Sequence, residues 1–253
     1  MDIILTNDDG IWAVGLRALD KKLRQAGCNV HVIAPLTEQS AVGHAVTLSS
    51  PLRTKQVKEN NFQGIGVSGT PVDCVKMALG TVFQFKPDLL ISGINSGANV
   101  GVDVLYSGTV AAATEAALAG IPAMAVSIDD FNPQNLDEQA IFTSRLIRQQ
   151  DWSAWPKRRV LNLNFPKLPL QECQGIKCCP QTQAVYEDWY EKRIDPRGRE
   201  YYWLCGEILP ENLEADTDRT LLSQGFITLT PLKFDFTDQA LLQSLHLPSG
   251  LLG

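Results

Sequence analysis

Residues 88–127, DLLISGINSGANVGVDVLYSGTVAAATEAALAGIPAMAVS, decide the fold. Leu89, Leu90 and Ile91 form a short run without a polar break, the pattern of a strand covered on both faces. A glycine-rich stretch follows it. Ser107-Gly108-Thr109 then opens an alanine-rich helix over 109–118, which Gly120 stops. Ala123, Met124, Ala125 and Val126 make the next apolar strand. Strand, helix and strand in this order build a parallel sheet.

The same alternation runs upstream. Ile3-Ile4-Leu5 is a short buried strand. A helix over 14–25 carries Leu16, Leu19 and Leu23 on one face, with Gly27 as its stop. Val30 to Ala34 forms another strand, closed by Pro35, and Thr70-Pro71 opens a capped helix with Asp73 in its first turn. The first half is therefore a doubly wound, mostly parallel α/β sheet. Downstream the pattern changes: a helix over 136–150, an alternating strand over 160–165, then a segment over 185–209 that is aromatic and charged. Asp195-Pro196-Arg197-Gly198 is a turn signal in its middle, so this segment is expected to project as a hairpin. Tyr186, Trp189, Tyr190, Tyr201, Tyr202 and Trp203 suit it to contact with another subunit or with its own core. A strand over 225–232 and a short terminal helix complete the chain.

Composition bounds the function. The 253 residues carry 22 Lys+Arg against 28 Asp+Glu, a net charge of −6, and are 44% hydrophobic. Such a chain can bury a real core and is neither disordered nor built to coat nucleic acid, which calls for a basic face. The start, Met1-Asp2-Ile3-Ile4-Leu5, lacks the shape of an export signal. Glu115, Gly120 and Pro122 interrupt the apolar segment 109–127, which argues against a membrane span. The six cysteines contain no CxxC pair, which disfavours zinc and a disulfide scaffold; reduced thiols and a cytoplasmic location are expected.

In open α/β sheets ligands bind beyond the carboxyl ends of the strands. There the sequence places Thr6-Asn7-Asp8-Asp9-Gly10, then Ser40, then Ser92-Gly93-Ile94-Asn95-Ser96-Gly97-Ala98-Asn99, leading to Ser107-Gly108-Thr109. These are hard oxygen donors, suited to Mg²⁺, Mn²⁺ or Ca²⁺ rather than zinc. Two carboxylates about 4 Å apart repel by roughly 4 kcal/mol at an effective dielectric of about 20, and a divalent cation between Asp8 and Asp9 reverses that cost. The plainer reading is that both acids cap a turn. Ser107-Gly108-Thr109 is either an anion site at a helix N-terminus or a simple cap. Together, carboxylates for a metal and a helix N-terminus for an anion fit phosphoryl chemistry.

Two motifs compete. Gly64-Ile65-Gly66-Val67-Ser68-Gly69 matches the dinucleotide fingerprint, but residues 58–63 are no buried strand and Asp88 begins a strand where a ribose-binding acid ends one. Asp216-Thr217-Asp218-Arg219-Thr220 has the shape of an aspartyl-phosphate phosphatase motif, yet the polar residues before it make a solvated loop the better reading. His31 and His246 read as structural; His44, near Ser40, either contacts substrate or has no role.

Several of these pieces together resemble the stationary-phase survival proteins of the SurE family. They are Thr6 to Gly10, Ala34-Pro35 with Ser40, Gly69 to Val75, Ser92 to Gly101, Tyr106 to Val110, Asp195 to Arg199 with Tyr201-Tyr202-Trp203, and Thr230-Pro231-Leu232. The resemblance implies a Rossmann-like core over 1–170 joined, within one SurE-like domain, to a C-terminal arm over 171–253 used in dimer or tetramer formation. It implies a metal-dependent phosphatase acting on nucleoside monophosphates, chiefly a 5′-nucleotidase; some relatives act on 3′-nucleotides or short polyphosphate. Carried over by position, Asp8, Asp9, Ser40 and Asn95 would hold one Mn²⁺ or Mg²⁺ per subunit, with Asp8 and Asp9 also catalytic. Asn99 and Ser107, with Gly108 and Thr109, would face the phosphate. A non-catalytic nucleotide-binding or regulatory protein is the alternative.

Overall fold

The computed structural model describes residues 1–246; the last part of the 171–253 arm, residues 247–253, lies outside the described residues. The first half runs β1 (Asp2–Thr6), α1 (Val14–Gln25), β2 (Asn29–Pro35), β3 (Thr54–Glu59), β4 (Phe62–Val67), α2 (Pro71–Met77), β5 (Leu89–Ser96), α3 (Asp103–Tyr106), α4 (Gly108–Leu118) and β6 (Ala123–Ile128). It continues with α5 (Asp137–Gln149), β7 (Arg159–Phe165), β8 (Ile176–Cys178), β9 (Glu187–Ile194), β10 (Glu200–Glu207), α6 (Asp218–Ser223), β11 (Ile227–Lys233) and α7 (Gln239–Ser244).

Nine strands form one sheet in the order β3-β4-β2-β1-β5-β6-β7-β11-β8. From β4 to β7 neighbours are parallel; β3 pairs antiparallel with β4 and β11 antiparallel with β7. The apolar runs are continuous because both faces are covered. Leu16, Leu19 and Leu23 of α1 and Ala140 and Ile147 of α5 pack with Ile3, Leu5, Ile91 and Val126 on one face. Cys74 and Val75 of α2 and Val110, Ala112, Ala113 and Ala116 of α4 pack with Ile4, Ile33, Leu90 and Ala125 on the other. This is the doubly wound, Rossmann-like arrangement. The order of strands departs in opposite directions from β1, so the crevice beyond the carboxyl ends of β1 and β5 is the switch point.

Three local expectations need correction. Residues 160–165 do not expose one side: Asn162 and Asn164 are as buried as their apolar neighbours, because β11 covers the edge and their amides bond to a loop of the site. Residues 216–220 are not a solvated loop but the entry to α6, and Asp218 is 0% exposed. The hairpin does not pack against its own core: β9 and β10 form a separate two-stranded sheet with Tyr190, Tyr202 and Trp203 exposed. Within 171–246 only part of the chain stands apart, since β8 and β11 complete the main sheet. The glycine-rich stretch 64–69 lies in and just after β4, where a side chain on Gly64 would press against Val32 at 3.0 Å. Its glycines serve close packing between strands rather than a pyrophosphate.

Candidate active site

Asp8 and Asp9 sit in the turn that leaves β1, and Asn7 braces that turn by donating its amide to Gly10 O at 3.0 Å. Asp8 is buried, and the Thr109 hydroxyl donates to its Oδ1. Burial pushes the Asp8 carboxyl up to about 6, with the Thr109 hydrogen bond opposing and the charge of Asp9 adding to the shift. Asp9 is also raised by burial, against a 2.9 Å hydrogen bond that its Oδ2 accepts from Ser96 N–H. That bond ties the β1 turn to the end of β5. The segment after β2 is tied in the same way, since Gln39 N–H donates to Asp8 O at 2.8 Å.

The N-terminus of α4 closes the third side. Ser107 caps it, its Oγ accepting from Val110 N–H at 3.0 Å. Gly108 is demanded by proximity: a Cβ there would lie 2.8 Å from Asp8 Cβ and 3.1 Å from Pro71 Cγ. Only a glycine lets the positive end of α4 approach the buried carboxylate this closely.

A cavity of about 190 Å³ results, lined by Asp8, Ser40, Asn95, Asn99 and Ser107 together with Asp103, Tyr106 and Phe131. Thus five sequence candidates share one hollow, while Asp9, Gly108 and Thr109 lie outside its lining. Ser40 is exposed at its rim, where its hydroxyl donates to Glu38 at 2.5 Å. Asn95 is turned so that its amide donates to Gly97 O at 2.7 Å. Asn99 donates to the Ser127 hydroxyl at 2.8 Å, while its backbone carbonyl accepts from Asn162 and Asn164. Thr109 is spent on Asp8 behind the hollow rather than in it. His44 lies away from the lining and pairs with Glu115 at 2.9 Å. Larger hollows of about 560 and 840 Å³ lie toward the opposite end of the strands and gather none of the candidates.

Several contributors were missed. Asn162, Asn164 and Ser127 hold Asn99; an Asn-x-Asn pair inside an apolar strand is the signal that could have found them. Asp218 is the other. Its Oδ2 accepts from Gly101 N–H at 2.8 Å and its Oδ1 from Thr182 N–H at 2.9 Å, pinning the loop between Asn99 and Ser107. Beside it, Arg219 pairs with Asp103 and stacks near Tyr186.

Among the described residues no lysine, arginine or histidine lines the hollow. Carboxylate, hydroxyl and amide oxygens surround it, with a buried acid whose charge is uncompensated by any side-chain cation. That donor set fits a hard divalent cation. Fold and crevice together define a doubly wound α/β protein with an acidic, oxygen-lined site at its switch point.

Comparison with known proteins agrees. Residues 3–188 match the family model "Survival protein SurE". A protein named 5′-nucleotidase SurE from Solidesulfovibrio magneticus is 60% identical over 99% of this chain and 98% of its own length. One of the same name from Nitratidesulfovibrio vulgaris is 59% identical over 94% of this chain and 88% of its own. The crystal structure of a SurE protein from Aquifex aeolicus superposes with a TM-score of 0.82 at 34% identity, covering 97% of this chain and 98% of that one. The chain belongs to the SurE family. Among the described residues no helix is long and apolar enough to cross a membrane.

Proposed function

We propose that this protein is a divalent-metal-dependent 5′-nucleotidase that hydrolyses nucleoside 5′-monophosphates to nucleoside and phosphate, with 3′-nucleotides and short polyphosphate as further substrates. The observation that carries the reading is the joining of Asp8, Ser40, Asn95, Asn99 and Ser107 in one hollow without a basic side chain. The names of relatives at 60% and 59% identity support the choice of substrate.

Asp8, Asp9, Ser40 and Asn95 would hold one Mn²⁺ or Mg²⁺. Such an ion supplies positive charge that the lining lacks, polarising a phosphate and acidifying water. The chain's own groups do the rest. Ser107, with the N–H groups of Gly108 and Thr109 at the head of α4, would bind phosphate oxygens, the Thr109 N–H turning to the phosphate from the Asp8 carboxylate, and the helix dipole favours their charge. Asn99, fixed through its backbone by Asn162 and Asn164, orients the phosphate. Asp8 or Asp9 accepts the proton of the attacking water, and displacement in line at phosphorus breaks the bond to the nucleoside 5′-oxygen, which takes up that proton to leave as the hydroxyl. The projecting hairpin and the C-terminal helix would join subunits into a homodimer or homotetramer, in the cytoplasm.

The test is phosphate release from AMP with Mn²⁺, with and without chelator, by wild type and Asp8→Asn. Release that chelator and Asp8→Asn both abolish, with the variant still folded, is the expected result. Full activity in either case would sink the assignment, and AMP binding without phosphate release would make the protein a nucleotide-binding module instead.

A further inference from the structure

We infer that Phe131 is the nucleobase platform of this site, a reading that rests on the proposed nucleotidase function and adds to it how the base is held. Phe131 lies in the loop after β6 and is 86% exposed. A single exposed phenylalanine needs no explanation in general. This one lines the catalytic hollow, at its mouth, with Tyr106 as the other exposed aromatic of the lining.

The ring is also placed. Gly97 adopts φ +105°, and a Cβ built there would come within 2.9 Å of Phe131 Cε1 and 3.2 Å of Cδ1. The edge of the ring therefore rests on bare backbone of the loop that carries Asn95 and Asn99. The chain leading into it is fastened to both neighbouring loops: Asp129 N–H donates to Phe165 O at 2.8 Å, Lys167 pairs with Asp130 at 2.9 Å, and Gly97 N–H donates to Ile128 O at 2.9 Å. An apolar ring is thus held at the entrance of a polar site, fixed to the segment that handles the phosphate.

Size says what the ring is for. About 190 Å³ is less than the roughly 300 Å³ at which pockets begin to enclose a whole small ligand. The hollow takes the phosphate end, and the base of a nucleotide must lie at the mouth. There Phe131 and Tyr106 offer exposed aromatic faces, and an aromatic face stacks on any base. Recognition by stacking is tolerant of base identity, so purine and pyrimidine monophosphates should both be substrates, differing in KM with their stacking area.

The test compares AMP with ribose 5-phosphate, which keeps the sugar and phosphate and lacks the base, for wild type, Phe131→Ala and Phe131→Tyr. In Phe131→Ala the ratio of kcat/KM for AMP to that for ribose 5-phosphate should fall about tenfold, mainly through KM for AMP. Phe131→Tyr should restore it. A ratio within about twofold of wild type in Phe131→Ala overturns the platform, as does a change of oligomeric state in that variant, which would assign the ring to a subunit contact. If wild type releases phosphate from neither compound, the nucleotidase reading falls and the platform with it. If wild type hydrolyses both and only the ratio fails to move, the platform alone is lost.

Discussion

Replacing Asp218, which lies outside the proposed metal ligands, should loosen the loop between Asn99 and Ser107. Its carboxylate is buried, and burial raises its pKa while backbone N–H groups of Gly101, Thr182 and Arg219 hold the ionised form. Oδ1 serves Thr182 and Arg219, and Oδ2 serves Gly101, at 2.8 to 2.9 Å. Asparagine has one acceptor oxygen. If it keeps the first pair, its amide meets the Gly101 N–H donor to donor, and one buried N–H is orphaned at a cost of about 1–3 kcal/mol. Removal of a desolvated charge offsets part of this, so Asp218→Asn should lose about 1–2 kcal/mol. Asp218→Ala orphans all three and should lose about 3–5 kcal/mol. In a chain this long 1 kcal/mol moves Tm by about 2–4 °C. Urea unfolding followed by tryptophan fluorescence, with Tm alongside, should therefore rank wild type above Asp218→Asn above Asp218→Ala. AMP hydrolysis should fall in the same order, because the loosened segment carries Ser107 and Asp103. Asp218→Asn within about 0.5 kcal/mol of wild type, or Asp218→Ala no worse than Asp218→Asn, would refute the clamp.

Two further outcomes follow from named contacts. Gly108→Ala gains at most about 1 kcal/mol of helix propensity but forces a methyl to 2.8 Å from Asp8 Cβ, an overpacking cost of about 1–3 kcal/mol; Mn²⁺ titration calorimetry should show weakened binding even where Tm barely moves. For Asp73, burial raises the carboxyl pKa, but hydrogen bonds from Thr47 and Thr70 outweigh it and hold it below the usual value. A depressed folded pKa means stability present above the unfolded value of about 3.9 and lost as pH falls through the folded one. The stability gap between wild type and Asp73→Asn should be flat above about pH 5 and shrink below about pH 4 in denaturant titrations.

What the residues disclosed follows from where their partners lie. The runs at 3–5, 30–34, 89–91 and 123–126 are legible because full burial leaves no polar break, and Ser107 because a cap is a local bond. Residues 54–59 escape notice since an edge strand with only Val57 buried looks like any charged segment. Asp8 and Asp9 stand out through adjacency after a strand. Asp218 does not, because the N–H it accepts from Gly101 is 117 residues away and its neighbours are polar. Asn162 and Asn164 mimic a wet face although their amides are committed to Asn99. Phe131 sits among Asp, Asn, Pro and Gln, where composition gives it no distinction until the fold sets it against Gly97.

The position of β11 in the sheet bears on synthesis. The strand that flanks β7, and so backs Asn162 and Asn164, is translated after the whole hairpin excursion, and α6 with Asp218 comes just before it. A nascent chain emerging from its N-terminus can assemble β1, β5 and α4, which position Asp8, Asn95 and Ser107, early. The strand that covers the edge of β7 and the clamp on Gly101 arrive only when residues 218–233 have left the ribosome. Fragments from interrupted translation would thus carry nearly every reactive group yet lack the Asp218 clamp and the β11 edge.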